Sequence, residues 1–178
     1  MAFFTGGQGK VKLLMLYIIE RFRTPITKEQ LYTAMVTVDK TGFFEMSELL
    51  SELEQEQYVL SVPVRQQQLL YITEKGSRLL AAFEREIARS VRDEVTGYAD
   101  EHREEAKRSN CVVFDAVPQP DGSYRLELSI LEKDRVLFEI DLYAPDPASA
   151  NRVRENWLKD ADGIYLNTIM RLSEPEGK

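Results

Sequence analysis

Residues 43–80 read FFEMSELLSELEQEQYVLSVPVRQQQLLYITEKGSRLL, and their pattern decides the fold of the first half of the chain. Phe43, Phe44, Met46, Leu49, Leu50 and Leu53 recur at three- and four-residue steps, which predicts an amphipathic helix with one apolar stripe. Glu45, Ser47, Glu48, Ser51, Glu52 and Gln55 then face outward. Tyr58 to Val64 and Leu69 to Ile72 are rich in β-branched and aromatic residues, and the segment from Pro63 to Gln68 between them is mostly polar, so two strands joined by an exposed tip are expected. Thr73 is placed to cap the helix that follows, with Glu74 favourable in its first turn.

Working outward, Lys10 to Phe22 is apolar at almost every position and predicts a helix covered on more than one side. Either it is the central helix of a small core or part of it is a subunit interface. Residues 1–9 hold three glycines without periodicity and are expected to fray. Pro25 interrupts this helix. Thr27 and Gln30 then fit a capping box for a second helix that reaches Asp39 and turns its Leu31, Ala34, Met35 and Val38 inward. From Thr73 a long helical pattern carries Leu79, Leu80, Phe83, Ile87, Val91, Val95 and Tyr98, with Gly97 as its weak point. The charged stretch 84–108 is expected to be a solvated connector holding the domain boundary.

Beyond it the period changes from helical to alternating. Cys111 to Val117, Tyr124 to Glu132 and Val136 to Tyr143 predict a three-stranded antiparallel meander with turns at Pro120-Asp121-Gly122 and Lys133-Asp134. Asp146-Pro147 caps and starts a helix in which Val153, Trp157, Ala161, Ile164 or Tyr165, and Thr168 or Leu172 step along one side; Gly163 is the expected bend. One sheet face needs cover, and Val112, Phe114, Leu131, Leu137 and Tyr143 are assigned to it. A second copy of the chain or a small ligand could cover it, and a homodimer is the preferred expectation.

The order helix, helix, helix, strand, tip, strand, helix resembles a winged helix-turn-helix domain. With KLLMLYIIERFRTPIT at the front and the three strands plus tryptophan-bearing helix at the back, the chain is similar to a bacterial domain-of-unknown-function family described as winged-helix transcriptional regulator-like. The resemblance implies an α+β fold: a winged-helix domain over 1–90, a connecting helix over 91–110, and an antiparallel meander with a C-terminal helix over 111–178 for dimerisation or sensing. It implies a homodimeric DNA-binding regulator that reads double-stranded DNA with its third helix and wing. The candidate DNA-binding residues are Lys28, Lys40, Ser47, Ser51, Gln55, Arg65, Gln66, Gln67 and Gln68.

Charge weighs against that reading. The 178 residues carry a formal charge of −7, whereas a nucleic-acid binder usually has a basic surface to replace phosphate counterions. Residues 1–90 balance at 11 basic against 11 acidic, and residues 91–178 hold 12 against 19. Glu45, Glu48, Glu52, Glu54 and Glu56 on the third helix would repel a polyanion. The alternative expectation is a protein-interaction module whose acidic third helix docks a basic partner.

Signals for chemistry are sparse. His102 and Cys111 are the single histidine and cysteine, and they fit a solvated side chain and a small buried hydrophobe better than a catalytic pair. Gly6-Gly7-Gln8-Gly9 lacks the lysine and hydroxyl residue of a phosphate loop, too few soft ligands exist for a zinc site, and neither enzyme activity nor a cofactor is expected. One cysteine excludes an intrachain disulfide. The apolar run Val11 to Ile19 falls short of the roughly 20 residues of a membrane span, so a cytoplasmic protein is expected.

Overall fold

In the computed structural model, which describes residues 7–39, 41–64, 67–132 and 135–174, the chain divides into two compact units, Met1–Asn110 and Cys111–Lys178. The first is built around helix α1 (Gly7–Phe22), where every residue from Leu13 to Ile19 is buried. Seven consecutive buried apolar side chains, each stabilising by about 1.5–3 kcal/mol when fully buried, require neighbours on all sides. Those neighbours are α2 (Lys28–Val38), α3 (Phe43–Gln55), strand β3 (Gln67–Ile72) and α4 (Glu74–Phe83) of the same unit. The central-core reading of α1 therefore accounts for its pattern. The helix also starts earlier than the glycines suggested: Gly7 to Gly9 are helical, because tertiary packing outweighs the weak propensity of two glycines.

Between α1 and α2 lies a two-residue strand, β1 (Ile26–Thr27), that the sequence pattern did not announce. It pairs antiparallel with β3, Ile26 opposite Leu70. The other edge of this sheet is β2 (Val59–Val64), in register with β3 from Val59 opposite Ile72 to Val64 opposite Gln67. Pro63 is tolerated because β2 is an edge strand. Thr73 caps α4 by accepting from the Gly76 N–H at 3.0 Å, and its hydroxyl donates to the Gln57 carbonyl at 2.7 Å, tying the cap to the end of α3.

Helix α4 gives way to a short 3-10 turn at Glu84–Glu86, and α5 runs from Arg89 to Cys111. The break expected at Gly97 falls instead at Ile87, whose extended backbone turns its side chain into the core. Gly97 lies within α5 on an exposed side. Residues 91–110 are more than a solvated connector, since Val95, Ala99 and Ala106 belong to the same buried cluster as α1. The charge of the segment sits on the other side of the helix.

The second unit is a meander of β4 (Val112–Pro118), β5 (Tyr124–Glu132) and β6 (Arg135–Ala144), followed by α6 (Pro147–Ser173). The first turn closes on Gly122, whose φ of 86° suits a residue without Cβ; the Lys133-Asp134 turn lies outside the described residues. Asp146 caps α6 by accepting from the Ser149 N–H at 2.8 Å, with proline in the first turn. Trp157 is buried on the sheet and its Nε1–H donates to the Val113 carbonyl at 2.8 Å. Helix α6 is interrupted at Asp160, not Gly163; Gly163 leaves the space that the Asp160 carboxylate fills.

The facial assignments of several residues change. Val112 pairs with Ile130 and Phe114 with Leu128, so both lie on the face that α6 covers. Leu137 packs there too, and a bulge at Ile130/Leu131 leaves Val136 exposed. The open face instead carries Asp115, Arg125, Glu127, Ser129, Glu139, Asp141 and the exposed Tyr143, with Arg125 ion-paired to Glu127 and 4.0 Å from Asp141. That face mixes these charged groups with Val113 and Val117, which share its register. At the far end of α6, Leu172 is exposed and covers nothing. Among the described residues no helix is long and apolar enough to cross a membrane.

Candidate functional site

Helix α3 divides cleanly along its length. Met46, Leu49, Leu50 and Leu53 are buried, as a stripe at three- and four-residue spacing requires. Ser47, Ser51 and Gln55 are exposed, with Gln55 Nε2 3.5 Å from Ser51 Oγ. Phe43 and Phe44 are the exception: the stripe assigned them inward, yet they are 54% and 85% exposed. They occupy the first turn, beyond the end of the core. The Phe43 ring stands edge-on to Tyr32 of α2 with centroids 5.3 Å apart, and Phe44 lies 6.0 Å from Phe43.

The five glutamates are not equivalent. Glu52 holds Lys12 of α1 at 2.5 Å, Glu56 lies 3.9 Å from the same ammonium, and Glu54 is 3.8 Å from Lys28. Lys12 is itself buried, so its charge is neutralised inside the unit. Glu45 and Glu48 have no ion-pair partner among the described residues, and both are exposed beside Phe44. Among the described residues, the carboxylates of α3 without an ion pair are thus concentrated at its N-terminal end.

Three of the candidate DNA-binding residues, Lys28, Gln67 and Gln68, line one groove of about 490 Å³ together with Gln30, Ser109 and Asn110. The capping box contributes to its lining: the Thr27 N–H donates to Gln30 Oε1 at 2.9 Å and the Gln30 N–H to Thr27 Oγ1 at 3.2 Å. Buried Asn110, near the end of α5, donates to Gln30 Oε1 at 2.7 Å and to the Pro25 carbonyl at 2.9 Å, fixing the start of α2. No local pattern foretells that contact, because its partners are 80 and 85 residues away. Gln68 Oε1 accepts from the Ser61 hydroxyl at 2.7 Å across the hairpin. Ser47, Ser51 and Gln55 do not line the groove, and Lys40, Arg65 and Gln66 lie outside the described residues.

His102 stacks on Tyr98 with ring centroids 4.0 Å apart, and its Nδ1 lies 2.9 Å from the Tyr98 carbonyl, a contact that calls for the Nδ1–H tautomer. Burial, reinforced by Glu101 and Glu105, pushes the Tyr98 hydroxyl above its ordinary pKa. Cys111 is buried nine residues further along the same helix, an axial rise of ~13 Å. Among the described residues no group of three or more His, Cys, Asp and Glu is arranged to hold a metal ion.

Helical and antiparallel-sheet elements in two separate units define an α+β protein. Residues 11–172 match the model of the family described as a domain of unknown function (DUF4364), and the chain belongs to that family. No curated protein and no solved structure matches it.

Proposed function

We propose that the first unit is a winged-helix module that binds a macromolecular partner without performing a reaction, and that its third helix docks protein instead of entering a DNA groove. The element order α1-β1-α2-α3-β2-β3 with sheet order β1-β3-β2 supports the winged-helix assignment. The charge of α3 carries the choice of partner. Lys12 and Lys28 are engaged by Glu52, Glu56 and Glu54, while Glu45 and Glu48 face outward beside an exposed phenylalanine. A polyanion entering there would meet carboxylates that have no ion-pair partner among the described residues.

The second reading, a homodimeric DNA-binding transcriptional regulator, is favoured by the groove that gathers Lys28 with Gln67 and Gln68, which stand at the turn end of the hairpin. There a backbone phosphate would have to compete with Glu54 for Lys28. Self-association is supported by the exposed Leu166, Ile169 and Met170 on the last turns of α6. Fluorescence anisotropy of labelled mixed-sequence duplex DNA at ~50 mM salt, where phosphate contacts are strongest, separates the two readings. Absence of saturable binding by the full chain favours protein docking; saturable binding that weakens steeply with added salt favours the regulator.

A further inference from the structure

We propose that the aromatic corner formed by Tyr32 and Val36 of α2 with Phe43 and Phe44 of α3 is a docking seat for a protein segment that carries an apolar side chain flanked by lysine or arginine. The inference rests on the protein-docking reading of α3 and adds the seat and the partner's chemistry. Tyr32 and Val36 are four residues apart and share one side of α2. Val36 is 51% exposed, and the Tyr32, Phe43 and Phe44 rings follow one another at 5.3 and 6.0 Å. The cluster is therefore a continuous apolar surface, not scattered residues. Exposed aromatic side chains with few rotatable bonds are the groups that anchor protein interfaces, and Phe44 projects furthest.

Charge complementarity selects the occupant. Residues 39–48 contain Asp39, Glu45 and Glu48 against Lys40 alone. Farther along α3 the carboxylates of Glu52, Glu54 and Glu56 are engaged by lysines of the same unit, whereas none of Asp39, Glu45 and Glu48 has an ion-pair partner among the described residues. The acid rim that remains available coincides with the aromatic seat. It attracts lysine or arginine, which can also stack on the rings, and repels phosphate and acidic peptides.

The test uses three labelled synthetic 16-residue peptides against the full chain: one of Lys, Leu and Phe, one of Glu, Leu and Phe, and one of Lys and Ser. Anisotropy is read for the wild type, Phe44→Ala and the double variant Glu45→Lys, Glu48→Lys, with circular dichroism confirming that each is folded. The basic apolar peptide is expected to bind saturably at micromolar concentration, and each variant to weaken it by ~10-fold or more. The other two peptides are expected to bind at least as weakly as those variants do. Equal binding of the basic apolar peptide by all three proteins, or no binding by the wild type, overturns the proposal. Binding of the acidic apolar peptide that Phe44→Ala abolishes overturns the partner's charge and leaves protein docking standing. Saturable duplex DNA binding by the wild type in the same buffer overturns the docking reading itself. Concentration-dependent self-association that Phe44→Ala removes, with no peptide bound, makes a second copy the occupant and overturns the proposal as well.

Discussion

Lys12 Nζ lies 2.5 Å from Glu52 Oε2, joining α1 to α3 through a cation that is only 5% exposed. Burying an ammonium is unfavourable unless anions and hydrogen bonds compensate, so this pair is a packing constraint more than a source of stability. Glu52→Ala removes the carboxylate at 2.5 Å and leaves Glu56 at 3.9 Å. It is expected to lower stability by about 1–2 kcal/mol, whereas Lys12→Met, which keeps the length and drops the charge, should stay within ~1 kcal/mol of wild type. Urea unfolding of the two variants checks the order.

Two glycines in helices should respond oppositely to alanine. A Cβ at Gly76 would fall inside contact distance of the Tyr58 carbonyl oxygen and 2.8 Å from Ile72 Cγ1, where β2 and β3 meet α4. Gly76→Ala therefore forces backbone apart and is expected to destabilise by more than about 2 kcal/mol. A Cβ at Gly97 meets nothing within 4 Å. Gly97→Ala should stabilise the first unit by about 0.5–1 kcal/mol through helix propensity and a less flexible unfolded chain. Chemical denaturation followed by helical circular dichroism measures both.

Trp157 is the chain's single tryptophan, so its fluorescence reports on the second unit alone. Buried against β4 and donating to Val113, it should emit at short wavelength in the folded state and shift red on unfolding. Trp157→Phe leaves the Val113 carbonyl without this donor and opens a void beside Phe138, for an expected loss of about 2–3 kcal/mol. Tyrosine near-ultraviolet circular dichroism follows that variant.

The helix cap at Asp146 gives the second unit an acid dependence. The Ser149 N–H, then its hydroxyl, hold the Asp146 carboxyl below its ordinary pKa, and Ser123 does the same for Asp121. Because the folded value is the lower one, the unfolded chain takes up protons first as pH falls. The stabilisation is complete above the unfolded value of about 3.9 and disappears as pH falls through the depressed folded value. The thermal midpoint read by Trp157 fluorescence should drop over that window, and Asp146→Asn should flatten its share of the drop. An unchanged profile in the variant would show that the cap does not titrate.

Much of this architecture is legible from period and cap chemistry. The Thr27/Gln30 box and the Thr73 cap reflect contacts made within a few residues of themselves, and the alternation of Leu126, Leu128 and Ile130 follows the two-residue period of any strand with one buried face. What the sequence hides depends on distant partners. Strand β1 exists because Ile26 meets Leu70, Asn110 matters because it reaches Pro25, and α4 ends near Ile87 because the core accepts that side chain. The candidate site fared similarly. Ser47, Ser51 and Gln55 face outward as their spacing requires, but spacing alone could not reveal that Phe43 and Phe44 extend past the core. Nor could it tell that Glu52 and Glu54 answer to Lys12 and Lys28 while Glu45 and Glu48 do not.

The most direct measurement of whether α3 is built against DNA is a gain of binding. Duplex DNA anisotropy at ~50 mM salt compares the wild type with Glu45→Lys, Glu48→Lys. The wild type is expected to show no saturable binding and the variant measurable, salt-sensitive binding, since its exposed helix end is converted from anionic to cationic. Tight binding by the wild type, unchanged by the reversal, would contradict that expectation.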